Sequence, residues 1–340
     1  MVSQFPLDYM HLVLLGIMRK LLRTWLQGFP VKQRIGRVNK DKISANLLAF
    51  ARYCPAEIAR KPRSLDQLAH WKATEYRTIL CYTGVVAFKG ILSKEAYINF
   101  KLLLCGVRIL LNKDMCQSHN DLANEMLISF AKSASKLYEQ RIMTYNMHGI
   151  IHLAAEAKKF GNLDNISSFP FENFLYSLKK KLRKAGDTLQ QIVYRTLEQQ
   201  RLDSVGHVPA LKFKFLKPHA DGPVPHSYDD CAQFQVVTVD GVRYSVNRRN
   251  GCVIVGERIG VIANILCRDR KLVLCAVNFF KVIGPLFDYP IASNIVGIFK
   301  VSQLNQTTDK REVHKLSDCK KCMLMPLQKS FVAVRLNSLH

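Results

Sequence analysis

Apolar residues recur every three or four positions through the first 200 residues, which is the spacing of one face of a helix. The first such run consists of Leu12, Leu15, Met18, Leu22 and Trp25. Ser64 follows Pro62 and predicts the N-cap of a second helix. Further helices are predicted for residues 93–111 and 120–138, and another begins near residue 147 and stops at Gly161.

The segment FPFENFLYSLKKKLRK, residues 169–184, predicts a helix with Pro170 in its first turn. One face of this helix is apolar and consists of Phe171, Phe174, Leu175, Leu178 and Leu182. That face must pack on other helices or be exposed. Exposure would favour self-association, so a homo-oligomer is one expected partner.

The hydrophobic period changes to two after a segment rich in Pro, Gly, His and Asp. Asp240-Gly241 and Asn250-Gly251 separate short apolar runs and predict consecutive hairpins. We therefore predict an α+β protein with a mainly helical domain (1–204), a linker (205–230) and a small SH3-like β-barrel (231–340).

Fifty Lys and Arg residues against 26 Asp and Glu give a net charge of +24, spread over both halves of the chain. Such a charge favours a polyanionic partner, and DNA in the nucleus is the expected one. The alternative is a basic protein without a polyanionic ligand. No apolar run is long enough for a membrane span, and the N-terminus lacks the pattern of a secretory signal. Cys319 and Cys322 form one CxxC, a weak indication of zinc.

Three groups of residues could carry chemistry. Asp8 and His11 form a D-x-x-H, and His148 and His152 lie four residues apart, a spacing that can chelate a metal. Glu172 opens the helix that ends in KKKLRK, where the helix dipole favours a carboxylate that could face a divalent cation. Each group has an alternative interpretation. Asp8 could be an N-cap and His11 a core histidine bonded to it. His148 and His152 could be polar residues of a helix face, and Glu172 a surface carboxylate.

Several segments together resemble an animal group of DDE transposase-like proteins related to the plant CACTA (En/Spm-type) transposases. They are FPLDYMHLVLLGIMRKLL, RKPRSLDQLAHWKATEYRTILCYTGVVAFKG, YNMHGIIHLAAEAKKFG and FPFENFLYSLKKKLRK. The resemblance covers roughly residues 1–200, and the chain's ending resembles the C-terminal region of the same animal proteins. It implies helices that belong to a transposase insertion and to the end of an RNase H-like core.

The resemblance also implies roles. Glu172 matches the third catalytic carboxylate of a site that binds two Mg²⁺ or Mn²⁺ ions. Asp8 with His11, and His148 with His152, match accessory motifs and are possible zinc or structural residues. The two catalytic Asp residues belong upstream of the D-x-x-H segment, where this chain has seven residues. We therefore expect a catalytically incomplete DNA-binding protein, which is a truncated transposon remnant, the product of a partial gene model or a domesticated piece of a transposase.

Phosphate contacts are expected from Arg60, Lys61, Arg63, Lys179, Lys180, Lys181, Arg183 and Lys184. Two other hypotheses stay open. The chain could belong to an active metal-dependent transposase or nuclease that obtains its missing carboxylates elsewhere. It could also be a module that binds a protein or chromatin through the C-terminal barrel.

Overall fold

The computed structural model describes residues 4–203, 213–269, 272–304 and 312–337. A helical region comes first and an antiparallel sheet of ten strands follows, which confirms the predicted α+β architecture. None of the described helices has the length and apolar composition that crossing a bilayer requires.

The first helix starts as a π-helical stretch, Met10–Met18, and continues as α1 (Arg19–Gln27). The other helices are α2 (Gly36–Phe50), α3 (Ala73–Thr78), α4 (Gly84–Ala87), α5 (Lys94–Leu111), α6 (Met115–Ser118), α7 (Asn120–Tyr138), α8 (Tyr145–Gly149), α9 (Leu153–Phe160), α10 (Phe169–Lys181) and α11 (Thr188–Asp203). Single 3-10 or π turns link several of them, such as Leu65–His70, Ile79–Thr83, Gln140–Ile142 and Ile150–His152.

Sequence signals set the helix bounds closely. Ser93 accepts a hydrogen bond from the backbone N–H of Ala96 and caps α5. Ser64 accepts one from the backbone N–H of Asp66 but caps only the 3-10 stretch Leu65–His70, and the α-helix of that segment, α3, begins at Ala73. Gly161 follows α9 with φ of 90°, a conformation that favours glycine. At the centre of the helical core, Trp25 and Phe100 each meet Phe88 edge to face, with ring centroids 5.2 and 5.0 Å apart.

The strands are β1 (Phe213–His219), β2 (Ala232–Val239), β3 (Val242–Ser245), β4 (Cys252–Val255), β5 (Arg258–Arg268), β6 (Leu272–Pro285), β7 (Ile298–Leu304), β8 (Glu312–Lys315), β9 (Cys319–Leu327) and β10 (Ser330–Arg335). Their order is β1-β2-β5-β4-β9-β10-β7-β6-β8, and β3 pairs with β2. Since β5 also pairs with β6, six of the strands form a closed cycle of antiparallel pairings.

One of the two predicted hairpin turns is confirmed. Asp240 and Gly241 both have positive φ, and Val239 pairs with Val242 across them. The prediction for Asn250-Gly251 is wrong, because β3 pairs with β2 whereas β4 pairs with β5 and β9. A dipeptide signal shows where the chain turns but does not say which strand the next one joins. Strand β1 lies inside the predicted linker, 205–230, and pairs with β2; residues 205–212 lie outside the described part of the chain.

The sheet and the helices share one hydrophobic core. Along β9 and β10, alternate side chains face opposite ways, as a pleated strand requires. Met323, Met325, Val332 and Val334 join the core of the helical region, whereas the residues between them, such as Leu324, join a cluster within the sheet. Both faces of these two strands are therefore buried.

Two buried cations tie the regions together. Arg108 on α5 is 1% exposed and donates to the carbonyl oxygens of Cys81 and Val296 at 2.8 Å and of Arg335 at 3.0 Å. Lys321 on β9 donates to both carboxylate oxygens of Glu57 at 2.8 and 2.7 Å. Burial lowers the pKa of Lys321 to about 8, and Glu57 opposes that shift.

Candidate nucleic-acid interface

An open cleft of about 1430 Å³ crosses the surface of the helical region, between α1, α2 and the turn after α7. Within the described part of the chain, its walls carry seven cationic and two acidic side chains. The cations are Arg19, Lys20, Arg23, Arg34, Arg37, Lys40 and Arg141, and the acids are Asp41 and Asp66. Lys40 and Asp66 form an ion pair, so Asp66 offsets the charge of Lys40.

Helix α1 supplies one wall because it is amphipathic. Leu21, Leu22 and Trp25 are buried in the core, whereas Arg19, Lys20 and Arg23 of the same helix line the cleft. Two of these cations act electrostatically on Tyr76. Burial raises the pKa of Tyr76, and the charges of Arg19 and Arg23 oppose that rise.

The reversal between α1 and α2 supplies the next group of cations. Gly28 ends α1 and lies so close to Thr24 that a Cβ atom there would sit 2.5 Å from the Thr24 Cα. The carbonyl oxygen of Gly28 accepts a hydrogen bond of 2.8 Å from Nε of Arg34. Gly36, with φ of 70°, then starts α2 and places Arg37 beside the cleft. The local backbone thus presents both arginines on the same side of the turn.

An exposed aromatic ring lies at this reversal. Phe29 is 54% exposed and lines the cleft. The guanidinium carbons of Arg34 and Arg141 lie over its ring, 5.4 and 5.3 Å from the centroid. Lys20 donates from Nζ to the carbonyl oxygen of Arg141 at 2.8 Å, which ties the turn Gln140–Ile142 to α1. Such contacts between guanidinium groups and rings are attractive.

The three basic residues predicted near residue 60 differ in their surroundings. Arg60 and Lys61 are exposed. Arg63 instead makes two hydrogen bonds to Glu75, of 2.6 and 2.8 Å, and donates from Nη1 to Gln67 at 3.1 Å. The Glu75 carboxyl is buried, so Arg63 serves to balance its charge. Its guanidinium is thus already engaged within the protein.

The basic end of α10 belongs to a pair of helices, α10 and α11, which we call the hairpin. Helix α10 has no buried residue along its length, Phe169–Lys181. Most of the apolar residues of α10 and α11 are exposed, including Phe171, Phe174, Leu175, Tyr176, Leu189 and Tyr194. Phe169, Leu178 and Ile192 are half-buried. Of the two outcomes expected for this face, exposure is the one observed. Lys181 donates to Thr196 of α11 at 2.9 Å, whereas Lys179 and Lys180 are exposed on α10 and Arg183 and Lys184 follow it.

Asp8 connects the start of the chain with the start of α10. Its carboxylate accepts backbone hydrogen bonds from Met10 at 3.1 Å, His11 at 3.0 Å and Ser168 at 2.8 Å, and it also contacts Nδ1 of His11. Burial raises the pKa of Asp8, but these hydrogen bonds outweigh it and leave the pKa below its usual value. Both oxygens of Asp8 therefore already accept hydrogen bonds, as in an N-cap.

His148 and His152 are exposed and contact each other, with their Nε2 atoms 3.4 Å apart. Two nitrogen ligands of a tetrahedral zinc ion lie about 3.3 Å apart, so the pair fits two of its four positions. Nevertheless, residues 4–203, 213–269, 272–304 and 312–337 contain no group of three or more His, Cys, Asp or Glu that could hold a metal ion. Glu172 is exposed in the first turn of α10.

The CxxC does not bring its two thiols together. Residues three apart on a strand point to opposite faces, and Cys319 and Cys322 accordingly belong to different clusters of the sheet. The sulfur of Cys319 lies 3.4 Å from that of Cys275, and Cys322 lies in the same hydrophobic cluster as Cys252. The CxxC spacing is thus a product of strand geometry, with each thiol packed in apolar surroundings.

The comparisons with known proteins bear on the sheet alone. A family described as Domain of unknown function (DUF8592) matches residues 218–336, which span β2 to β10. No curated protein and no solved structure matches the chain. The cleft lies outside the matched residues.

Proposed function

We propose that this protein binds DNA through the basic cleft and that it derives from a DDE transposase. The observation that carries the proposal is the excess of cationic over acidic side chains in the cleft. Phosphate backbones bind such surfaces because each neutralised phosphate releases a counterion. The volume of about 1430 Å³ also exceeds the roughly 300–1,000 Å³ of small-molecule sites, which favours a polymer.

Cations outside the cleft, all of them exposed except the half-buried Lys181, extend this surface. Arg60 and Lys61, and Lys179, Lys180, Lys181, Arg183 and Lys184 of the hairpin, are assigned supplementary phosphate contacts. Arg63 is not included, because Glu75 and Gln67 engage its guanidinium. The nucleus is the proposed location because DNA is the proposed ligand.

The contact between the D-x-x-H segment and the helix of Glu172 supports the proposed ancestry. Asp8 accepts a hydrogen bond from the backbone N–H of Ser168, the residue before α10. Two segments 160 positions apart are therefore in contact, as the parts of an ancestral active site would be. His148 on α8 and His152 in the turn that follows it belong to the same helical region and contact each other.

We propose that the protein is catalytically incomplete. A two-metal site needs several carboxylates, and Glu172 is exposed while the oxygens of Asp8 already accept hydrogen bonds. These residues do not fit a Mg²⁺ or Mn²⁺ pair, and we derive no cleavage step from them. Zinc on His148 and His152 would need two more ligands from water or from a partner.

We also propose that the closed cycle of six strands is the small barrel expected from the sequence, and that the exposed apolar face of the hairpin can support a homo-oligomer. Sedimentation of the wild type and of a Phe171→Ser, Phe174→Ser variant addresses the second point. Equal masses for both proteins at every concentration would contradict it.

The test of DNA binding is the salt dependence of affinity for a short duplex. The logarithm of the binding constant should fall linearly with the logarithm of salt concentration. Arg19→Ala, Arg23→Ala and Arg37→Ala combined should reduce the slope by about 0.9 for each phosphate that is no longer neutralised.

The matched control changes Lys94, Lys132 and Lys136 to Ala, which removes the same charge from exposed positions outside the cleft. It should leave the slope closer to that of the wild type. A wild type that does not bind duplex or single strands at low salt would contradict the proposal, as would equal slopes for the two triple variants.

A further inference from the structure

Phe29 is one of several exposed large apolar residues, and it differs from Phe5 and from those of the hairpin in lying within the basic cleft. The ring is 54% exposed, and it stands in a cleft whose other exposed groups are mainly charged.

The surroundings hold this ring at the surface. On one side of it in the sequence, Gly28 allows the backbone to pass close to Thr24 and binds Arg34 through its carbonyl oxygen. Lys20 fixes the backbone of Arg141 from α1. The guanidinium of Arg34 is thus held by a hydrogen bond, and Arg141 is held through its backbone carbonyl oxygen. Both guanidinium groups already lie over the ring in the free protein.

This arrangement has the two components that recur in sites for single-stranded nucleic acids. An aromatic ring or a guanidinium plane stacks on a base, and a groove of cations follows the phosphates. Here Phe29, Arg34 and Arg141 provide planar surfaces. Arg19, Arg23 and Arg37 provide cations in the same cleft.

We infer that the cleft binds unpaired nucleotides of a DNA strand, with a base stacked on the Phe29 ring or its covering guanidinium group. This inference rests on the proposed function, since it names the form of DNA that the same cleft accepts. A duplex offers phosphates to the cleft but keeps the faces of its bases stacked on one another, so only an unpaired base can reach the ring.

The experiment measures the binding of fluorescein-labelled oligothymidine by anisotropy and compares three other probes of the same length: a DNA duplex, a strand with abasic sites throughout, and oligouridine. Phe29→Ala should weaken oligothymidine binding by roughly 5- to 140-fold, because the stacking of one base is removed. Phe29→Trp should retain the binding. Phe29→Ala should weaken binding of the duplex and of the abasic strand much less than binding of oligothymidine, because neither probe offers an unpaired base to the ring.

Phe5→Ala is the matched control, because Phe5 is 74% exposed and lies outside the cleft. It should change no affinity. Unchanged oligothymidine binding by Phe29→Ala would overturn the inference, as would an equal loss of affinity for the abasic strand. In either case, salt-dependent binding of the duplex by the wild type would still support the proposed function. Wild-type protein that binds none of the probes would contradict both, and tighter binding of oligouridine would overturn the assignment to DNA.

Discussion

The cleft and the hairpin both present clustered positive charge, but they are built in opposite ways. The cations of the cleft come from α1, α2 and a turn near residue 141, and the helices that carry them pack into a core shared with the sheet. The hairpin carries KKKLRK in one continuous run, which begins in the last turn of α10 and continues past its end, and α10 has no buried residue. The basic surface of the cleft therefore depends on tertiary packing, whereas that of the hairpin comes from consecutive residues of the sequence.

This difference bears on what each surface can recognise. Cations held by a packed core keep their relative positions, so a ligand loses less free energy in ordering them. A run of lysines on an exposed helix attracts any polyanion at long range and is screened by salt. We therefore assign recognition to the cleft and a supplementary attraction to the hairpin.

The largest expected effect separates the two regions by stability. Phe100→Ala should lower the free energy of unfolding by about 3–5 kcal/mol, because the buried ring packs against Trp25 and Phe88. Phe174→Ala in the hairpin should change it by about 0.5 kcal/mol or less, because that ring is 61% exposed. Urea unfolding of both variants tests this. Similar decreases in the two would show that the hairpin is packed in solution.

A somewhat smaller effect tests the connection between helices and sheet. Arg108→Met keeps most of the side-chain volume but leaves the carbonyl oxygens of Cys81, Val296 and Arg335 without their donor. We expect the free energy of unfolding in urea to fall by about 2–4 kcal/mol. Arg34→Met is the control, since that guanidinium is exposed, and it should cost much less. A small cost for Arg108→Met would mean that the two regions are only loosely joined.

The pH dependence of stability provides a third test of the same connection. The pKa of Lys321 is about 8 in the folded protein against an ordinary 10.5, so the unfolded chain binds more protons between these values. Stability contributed by this group is therefore lowest below pH 8 and rises towards pH 10.5. Relative to Lys321→Met, the wild type should gain up to about 2 kcal/mol over the accessible part of that range. A constant difference between the two proteins would contradict the lowered pKa.

Local features of the fold could be predicted from the sequence. The bounds of α7 match the predicted helix, α5 begins one residue after its Ser93 cap, and Asp240-Gly241 forms the expected turn. Each of these depends on neighbours a few residues away. The prediction of the second hairpin is wrong because the partners of β4 are β5 and β9, and pairing with β9 depends on residues far along the chain.

The candidate site divides in the same way. KKKLRK is visible as a run, whereas Arg19 and Arg141 are more than 100 positions apart and become neighbours only through packing. In the sequence, Gly28 and Phe29 mark only a break in a helical pattern. A signal is present in the alternation of Arg19, Lys20 and Arg23 with apolar residues, which marks a basic face on the first helix. No pattern in the neighbouring sequence predicts that α2 and the turn near Arg141 form the other walls of the cleft.

The most direct test of the account is a comparison of two triple variants in duplex binding over a series of salt concentrations. One variant combines Arg19→Ala, Arg23→Ala and Arg37→Ala in the cleft, and the other combines Lys179→Ala, Lys180→Ala and Arg183→Ala at the end of α10. Both remove three positive charges. We predict a larger decrease in affinity and in salt slope for the cleft variant, roughly two to three orders of magnitude in affinity at 0.1 M salt. Equal decreases, or a larger decrease for the hairpin variant, would contradict the assignment of recognition to the cleft.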